Sequence, residues 1–462
     1  CQNDSVVNCV ITLNKVNNLS GTGTSYEGNK GIWMVNSTRT APTTAITVTA
    51  ASGSNSNNRF YGNSITNVHN GIVIYGFNAT AGVGPSPNPA TFLGDLNNDI
   101  GGAVNTDGNI ITNFGTNSVA VANTAAAIRV RYQWSNNISF NTINNNNGSG
   151  EFHSGILKGI LTADGNSANI TISNNNIDVK SGSTTATCTA IDNSIGIGAL
   201  SNTVNINNNI ITGSYLTATS GIWEGLKTSG VTATNMNING NRIQNVSSTG
   251  TGNWTAITNN SSSNPVQNIN NNVINNNTIG NTGTPSYIVI VVGNNSSNSI
   301  SGNTISNNSS ATIGGASLIS ITSTFFTPDV DLTNNTIRNN SFTSTSAASR
   351  TINMISYSGS GDVLNISGNQ FIDNGVTANN NNSASITLNA VLTSGSTFNT
   401  ETVTNNTIDS LFIKGTSTAT QQIRGFNISN GVATPVARTY SGNTLKKLAV
   451  LTGTSNSIIP IN

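Results

Sequence analysis

"ISGNTISNN", residues 300–308, contains a hexad that returns along the whole chain: apolar, any, Gly or Asn, Asn, any, apolar. Near copies stand at "YGNSITNV" (61–68), "INGNRIQNV" (238–246), "LTNNTIRNN" (332–340), "ISGNQFIDN" (366–374), "VTNNTIDS" (403–410) and "YSGNTLKKL" (440–448). Aligned on the second polar position, the anchors are Asn14, Asn63, Asn109, Asn141, Asn175, Asn209, Asn241, Asn272, Asn303, Asn335, Asn369, Asn406 and Asn443. The first two gaps are 49 and 46, and every later gap falls between 31 and 37. A period in that range is the signature of a solenoid.

The residue before the anchor sets the geometry. It is Gly or Asn everywhere except at Leu13 and Phe140. Gly and Asn enter the left-handed backbone region at the least steric cost. Each hexad therefore reads as a tight corner between two short strands. The flanking pairs Ile300 and Ile305, Leu332 and Ile337, and Ile366 and Phe371 point to one interior. A corner repeated at this spacing stacks if each repeat is one coil of parallel strands. The anchor amide can then donate to one neighbouring coil and accept from the other, as in stacked sheets. A second strand signal lies between anchors, as in "GIWEGL" (221–226) and "YIVIVV" (287–292). Leu226, Ile257 and Ile288 each stand 15 residues before the next anchor, which predicts an aliphatic stack. The expectation is an all-β parallel β-helix of about 13 coils with three strands per coil, one domain over 1–462. Its coils run from about 6 to 448, 77–105 form a long loop insertion, and 449–462 form a terminal strand or cap. At about 4.8 Å per coil this is a rod of roughly 60 Å.

Composition agrees. Asn accounts for 84 of 462 residues, and charged residues for only 7%, against about 25% in an ordinary domain. Helix is excluded by the density of Asn, Gly, Ser and Thr, and by the absence of a sustained 3.6-residue period. The formal net charge is +1 with no basic patch, so nucleic acid is not an expected partner. No apolar run approaches the ~18 residues of a membrane-spanning helix. The chain opens on Cys1 with no signal-like segment, which reads as a mature product or an excised piece. Cys1 and Cys9 invite either a small terminal disulfide loop or lipidation of Cys1, and Cys188 a buried thiol.

The pattern "ISGNTISNN…GI" resembles the right-handed parallel β-helix of the pectin-lyase-like superfamily, with its asparagine ladder at one turn. Its Asn-, Ser- and Thr-rich, charge-poor form is similar to repeat regions of secreted surface proteins of Bacteroidetes-type bacteria. The resemblance spans nearly the whole chain and implies a fold more than an activity. Hydrolases of that superfamily carry "NTD", "DD", "GHG" and "RIK"; this chain has "NTD" at 105–107 and none of the others. His69 and His153 stand in unrelated contexts, and Asp164, Asp178 and Asp192 are scattered. General acid–base chemistry needs two groups held together, so no enzyme is expected.

Three features invite ligands. Trp223 and Trp254 both lie 18 residues before the next anchor and should stack on adjacent coils, either as an exposed glycan platform or as core under a loop. Trp33 is a further candidate for that column. Asp95, Asn97 and Asp99 in "GDLNND" have the 1-3-5 spacing of a Ca²⁺ loop, but Ile100 and Thr106 stand at its sixth and twelfth positions, so an Asx-rich turn is the other reading. Asp329 and Asp331 alternate on one strand with Arg338 in the same coil, which reads as a solvated face or a local ion pair. No other cofactor is expected.

Solenoid ends expose strand edges, so the partners expected are copies of the chain stacked head to tail, or flanking domains of a larger surface protein. The functional expectation is a non-catalytic extracellular structural or adhesive solenoid, at a bacterial cell surface or secreted, with glycans as ligands. The alternative is a polysaccharide lyase or hydrolase of the same superfamily. An ice-binding array is disfavoured, because "ITVTA" (46–50) does not repeat in register.

Overall fold

Each hexad folds with its two apolar residues on either side of a corner, and both turn inward: Ile300 and Ile305, Leu332 and Ile337, and Ile366 and Phe371 are all fully buried. The computed structural model describes residues 1–461 except 16–27, 39–40, 80–81, 117–122, 147–151, 199–200, 261–265, 281–285, 294–296, 312–314, 345–347, 379–383, 395–396 and 430–436. The described chain is an all-β parallel β-solenoid, with 3-10 turns at Ala51–Gly53 and Asn105–Asp107. It separates into two compact units, one of Cys1–Thr217 with Glu224–Asn241 and one of Ala218–Trp223 with Arg242–Asn462.

Parallel pairing in register stacks like on like within each unit. In the first unit Ile65, Ile111, Ile143, Ile177 and Ile211 lie one above another on the face that follows the corner. Phe60, Ile100, Ile138, Ile172, Ile206 and Ile238 do so on the face that precedes it. Ile32, Ile72, Ile128, Ile160 and Ile191 form the third stack. The second unit repeats the arrangement with Ile243, Ile274, Ile305, Ile337, Phe371 and Ile408, and with Ile257, Ile290, Ile319, Ile355, Val391 and Phe426. β-Branched side chains fit such pleated, buried columns, and their burial is the main stabilising term.

The corner is left-handed as the residue types demand. Gly62, Asn174, Asn208, Gly240, Asn271, Gly302, Asn334, Gly368, Asn405 and Gly442 have φ between 56° and 67°. Phe140 adopts the same conformation at 61° despite its side chain, and Gly108, following a 3-10 turn, does not, at −63°.

Inside the corners the anchor amides are continuous. In the first unit Asn63, Asn109, Asn141, Asn175 and Asn209 each donate Nδ2 to the Oδ1 of the next anchor, ending on Asn241, at 2.8–3.0 Å. In the second unit Asn272, Asn303, Asn335, Asn369 and Asn406 do the same, ending on Asn443, at 2.9–3.0 Å. A second ladder, not foreseen from the sequence, runs five residues further on through Asn277, Asn308, Asn340 and Asn374 at 2.9 Å.

Four expectations need correction. The solenoid has about 9 turns, not 13. Counting every corner overstates the regular stack, because the first circuits carry long insertions and the strands Ala437–Ser441 and Thr444–Val450 at the far end are largely exposed. Asn14 is not an anchor: strand Val10–Thr12 pairs in register with Ser64–Thr66, so Cys9 takes the position, its backbone N–H donating to Asn63 Oδ1 at 3.1 Å. The insertion expected at 77–105 is interrupted, since Asp99–Ile100 is a solenoid strand between Arg59–Tyr61 and Asn136–Ser139. Ile288 pairs with Thr255 rather than Ile257, so Ile290 and not Ile288 continues that aliphatic stack.

Candidate functional site

The two shortest sheets of the described chain lie outside the solenoid faces: the antiparallel pair Ser37–Thr38 with Ala41–Ala45, and the parallel pair Asp95–Leu96 with Gln133–Trp134. Both come from the irregular first circuits, and both border one notch in the first unit. Val35, Tyr75 and Arg131 are in register at the ends of three successive strands, and there the chain leaves the sheet. Asn36, Ser37, Phe77, Asn78 and Tyr132 complete the lining of a cavity of about 270 Å³.

Arg131 organises the notch. Its Nε and Nη2 both reach Asp164 Oδ2 at 2.6 Å, and its guanidinium lies 5.3 Å from the Tyr132 ring centre and 5.8 Å from that of Tyr75. Tyr132 is held at φ 52° and Asp164 at 63°; aspartate visits this region readily, but it costs an aromatic residue about 1–2 kcal/mol. Gly76 has no room for a side chain, because a Cβ would meet Tyr132 O at 2.2 Å. Directly beneath, Asp95 is fully buried. It accepts from Asn36 Nδ2 at 3.0 Å, Asn55 N at 2.8 Å and Gln133 Nε2 at 3.1 Å. Burial pushes its carboxyl up to about 6, against the pull of those three donors.

The Ca²⁺ reading of Asp95, Asn97 and Asp99 does not survive this geometry. Asn97 sits at φ 54°, and that corner sends its neighbours apart. Asp95 turns inward to its three donors, and Asn97 donates to Asn57 Oδ1 at 3.2 Å. Asp99 lies on the next face, accepting from Tyr61 Oη at 2.5 Å and Asn137 Nδ2 at 2.7 Å. Among the described residues no group of three or more His, Cys, Asp or Glu side chains is disposed to hold a metal.

Trp223 and Trp254 are stacked, 5.2 Å apart and 10° from parallel, and Tyr287 extends the column at 5.1 Å from Trp254. Yet the rings are 0% and 1% exposed, so they are core and closed to a glycan. The reason is a break in alternation and not in register, which is the same from Trp254 with Tyr287 to Ile257 with Ile290. Val289 and Ile290 are consecutive buried residues in a strand that otherwise alternates, and Ala256 and Ile257 are likewise both buried one coil before, so Trp254 and Ile257, three residues apart, both face inward. Trp33 does not share the column: it pairs with Val73, in register with Arg129, on the outward side of its strand.

A second polar array lies on the outer face of the first unit. Lys158 Nζ contacts Asp192 Oδ2 at 2.7 Å and Thr189 Oγ1 at 2.8 Å. Thr189 donates to Glu224 Oε2 at 3.0 Å, and Glu224 Oε1 pairs with Lys227 at 2.9 Å. Each charge is answered within the array. Asp178 pairs with Lys180 at 2.8 Å, Asp331 accepts from Asn365 at 3.0 Å, and Asn105–Asp107 form a 3-10 turn. His69 and His153 are both buried, their rings edge to face at 5.7 Å. Burial lowers the His153 pKa, against the opposite pull of the Thr116 and Asn123 carbonyls, which lie 2.8 Å from its ring nitrogens. Cys1 and Cys9 are exposed and unbridged, contrary to the disulfide reading. Cys188 is a buried free thiol, pushed up to about 12 by desolvation.

No protein-family model, curated protein or solved structure matches the chain. Sequence reasoning passed over the notch because it is built from what breaks the repeat. Its signal was the cationic-aromatic run "RVRYQW" (129–134), coinciding with the overlong first circuits.

Proposed function

We propose that the chain is a non-catalytic structural or adhesive β-solenoid of the cell exterior, serving as a stalk or filament subunit and presenting a glycan-binding site. The observation that carries this reading is the pairing of its polar groups. The anchor amides bond to one another from coil to coil, and the array from Lys158 to Lys227 neutralises itself, which favours persistence over reactivity. The resemblance to secreted surface repeats supports the extracellular assignment. Exposed apolar side chains at the outermost strands, Val10 at 81% and Leu451 just past Thr444–Val450 at 69%, suit burial against another copy or against flanking parts of a longer polypeptide.

The alternative, a polysaccharide-cleaving enzyme, draws on one observation, the buried Asp95 with its raised pKa beneath a cavity. One experiment separates the two. Purified chain is followed by electron microscopy and sedimentation as concentration rises, and the same samples are incubated with neutral and acidic polysaccharides. The proposal expects end-to-end association, weakened by Val10→Lys, and no chain shortening. Cleavage that disappears in Asp95→Asn would replace it with the enzyme reading.

A further inference from the structure

We propose that the notch at Arg131 and Tyr132 is a binding site for a single neutral pyranose unit. This rests on the adhesive reading above and gives it a place and a ligand class.

Size comes first. About 270 Å³ lies at the small end of ligand cavities, which fits one sugar ring rather than a run of them. Charge selects among sugars. Among the described residues Arg131 is the one ionised side chain that lines the notch, and Asp164 compensates it at 2.6 Å. Asp95 lies just below and adds negative charge when ionised. Among the described lining residues a uronate would meet no uncompensated cation, whereas a neutral sugar meets the Arg131 donors together with the Asn36, Ser37 and Asn78 side chains. Asp164 takes two of the five guanidinium N–H groups. The guanidinium N–H groups left over and the exposed Asn78 amide, which both donates and accepts, match vicinal hydroxyls that do the same. The half-buried rings of Tyr132 and Phe77 supply the apolar surface against which the C–H face of a pyranose packs.

The site is built in advance of its ligand. Tyr132 is held in the left-handed region at φ 52°, which an aromatic residue does not adopt without cost. Gly76 lets the two backbones pass closely, since a Cβ there would meet Tyr132 O at 2.2 Å. Both accessory sheets border the notch. Insertions that depart from a scaffold's repeat are where binding residues concentrate, and a rigid site loses less entropy on binding.

The test is saturation-transfer NMR on the full chain, with methyl glycosides of glucose, galactose, mannose, fucose and N-acetylglucosamine set against those of glucuronate and galacturonate. The expected result is transfer to at least one neutral glycoside and none to the uronates. Tyr132→Asn should weaken binding at least about tenfold without lowering Tm, because Asn accepts the left-handed conformation. Arg131→Lys keeps the charge but loses the planar fork and should weaken binding as well. Binding that is unchanged in both variants, or that favours the uronates, overturns the inference and leaves the adhesive reading standing. Absence of transfer to every glycoside overturns the inference together with the glycan part of that reading, while the structural part is judged by end-to-end association.

Discussion

Gly302 shows why the corners of the second unit alternate between glycine and asparagine. Asn271, Asn334 and Asn405 each occupy the left-handed position, and the next coil has glycine there: Gly302, Gly368 and Gly442. The asparagine side chain lies where the next coil's Cβ would be. A Cβ on Gly302 would stand 2.4 Å from Asn271 Oδ1, and one on Gly442 would stand 2.2 Å from Asn405 Oδ1. Gly302→Ala thus meets a contact as well as an unfavourable φ of 65°. It should lower stability by about 2 kcal/mol. Asn271→Gly removes the contact and not the φ, so the double variant Asn271→Gly/Gly302→Ala should be more stable than the sum of the two single changes predicts. Chemical denaturation of the four proteins measures the coupling, and strict additivity would mean that the two residues do not touch. The preference for Gly or Asn at the corner was legible in the sequence. The alternation was visible as letters, but its cause lies between coils, where a single corner read alone gives no sign of it.

At the scale of the strand, counting back from the anchors succeeded for one column and failed for another. Trp223 and Trp254 do stack, as their equal spacing implies, whereas Ile288 misses the column that Ile257 begins. The connection between this strand and the next corner varies in length, so register follows side-chain packing rather than distance to the anchor. The facing of the tryptophans was hidden by the consecutive inward residues Ala256 and Ile257, which leave no mark in a hydrophobic pattern. It follows that Trp254 is a stability residue. Trp254→Ala should lower stability by about 3–5 kcal/mol, as large-to-small changes in cores do, and thermal unfolding would report it. A loss below about 1 kcal/mol would return the ring to the surface. The second ladder through Asn277, Asn308, Asn340 and Asn374 was legible in "SNN" and "RNN", but an Asn-rich background camouflages any one such residue.

Across the whole molecule, what repeats and what does not have separate tasks. Repetition writes the fold: a left-handed corner, an amide ladder and three aliphatic stacks. Each is reinforced by every neighbouring coil, which is why a sequence alone discloses them. The notch at Arg131 is written once, in insertions that the period cannot predict. Its parts, Asn36, Tyr75, Arg131, Tyr132 and Asp164, come from four successive circuits. Pairing of Val35 with Tyr75, of Tyr75 with Arg131 and of Arg131 with Ala163 brings them together.

That pairing between circuits is the central claim, and disulfide trapping tests it most directly. Thr304 and Thr336 are in-register neighbours on adjacent coils, 32 residues apart and half-buried. Neighbouring strands lie about 4.8 Å apart, within the Cα range a disulfide spans. With Cys1, Cys9 and Cys188 replaced by serine or alanine, Thr304→Cys/Thr336→Cys should cross-link nearly completely under mild oxidation of the folded protein. The offset pair Thr304→Cys/Arg338→Cys should not. Equal cross-linking of both pairs, or none in the first, would contradict the stacked coil.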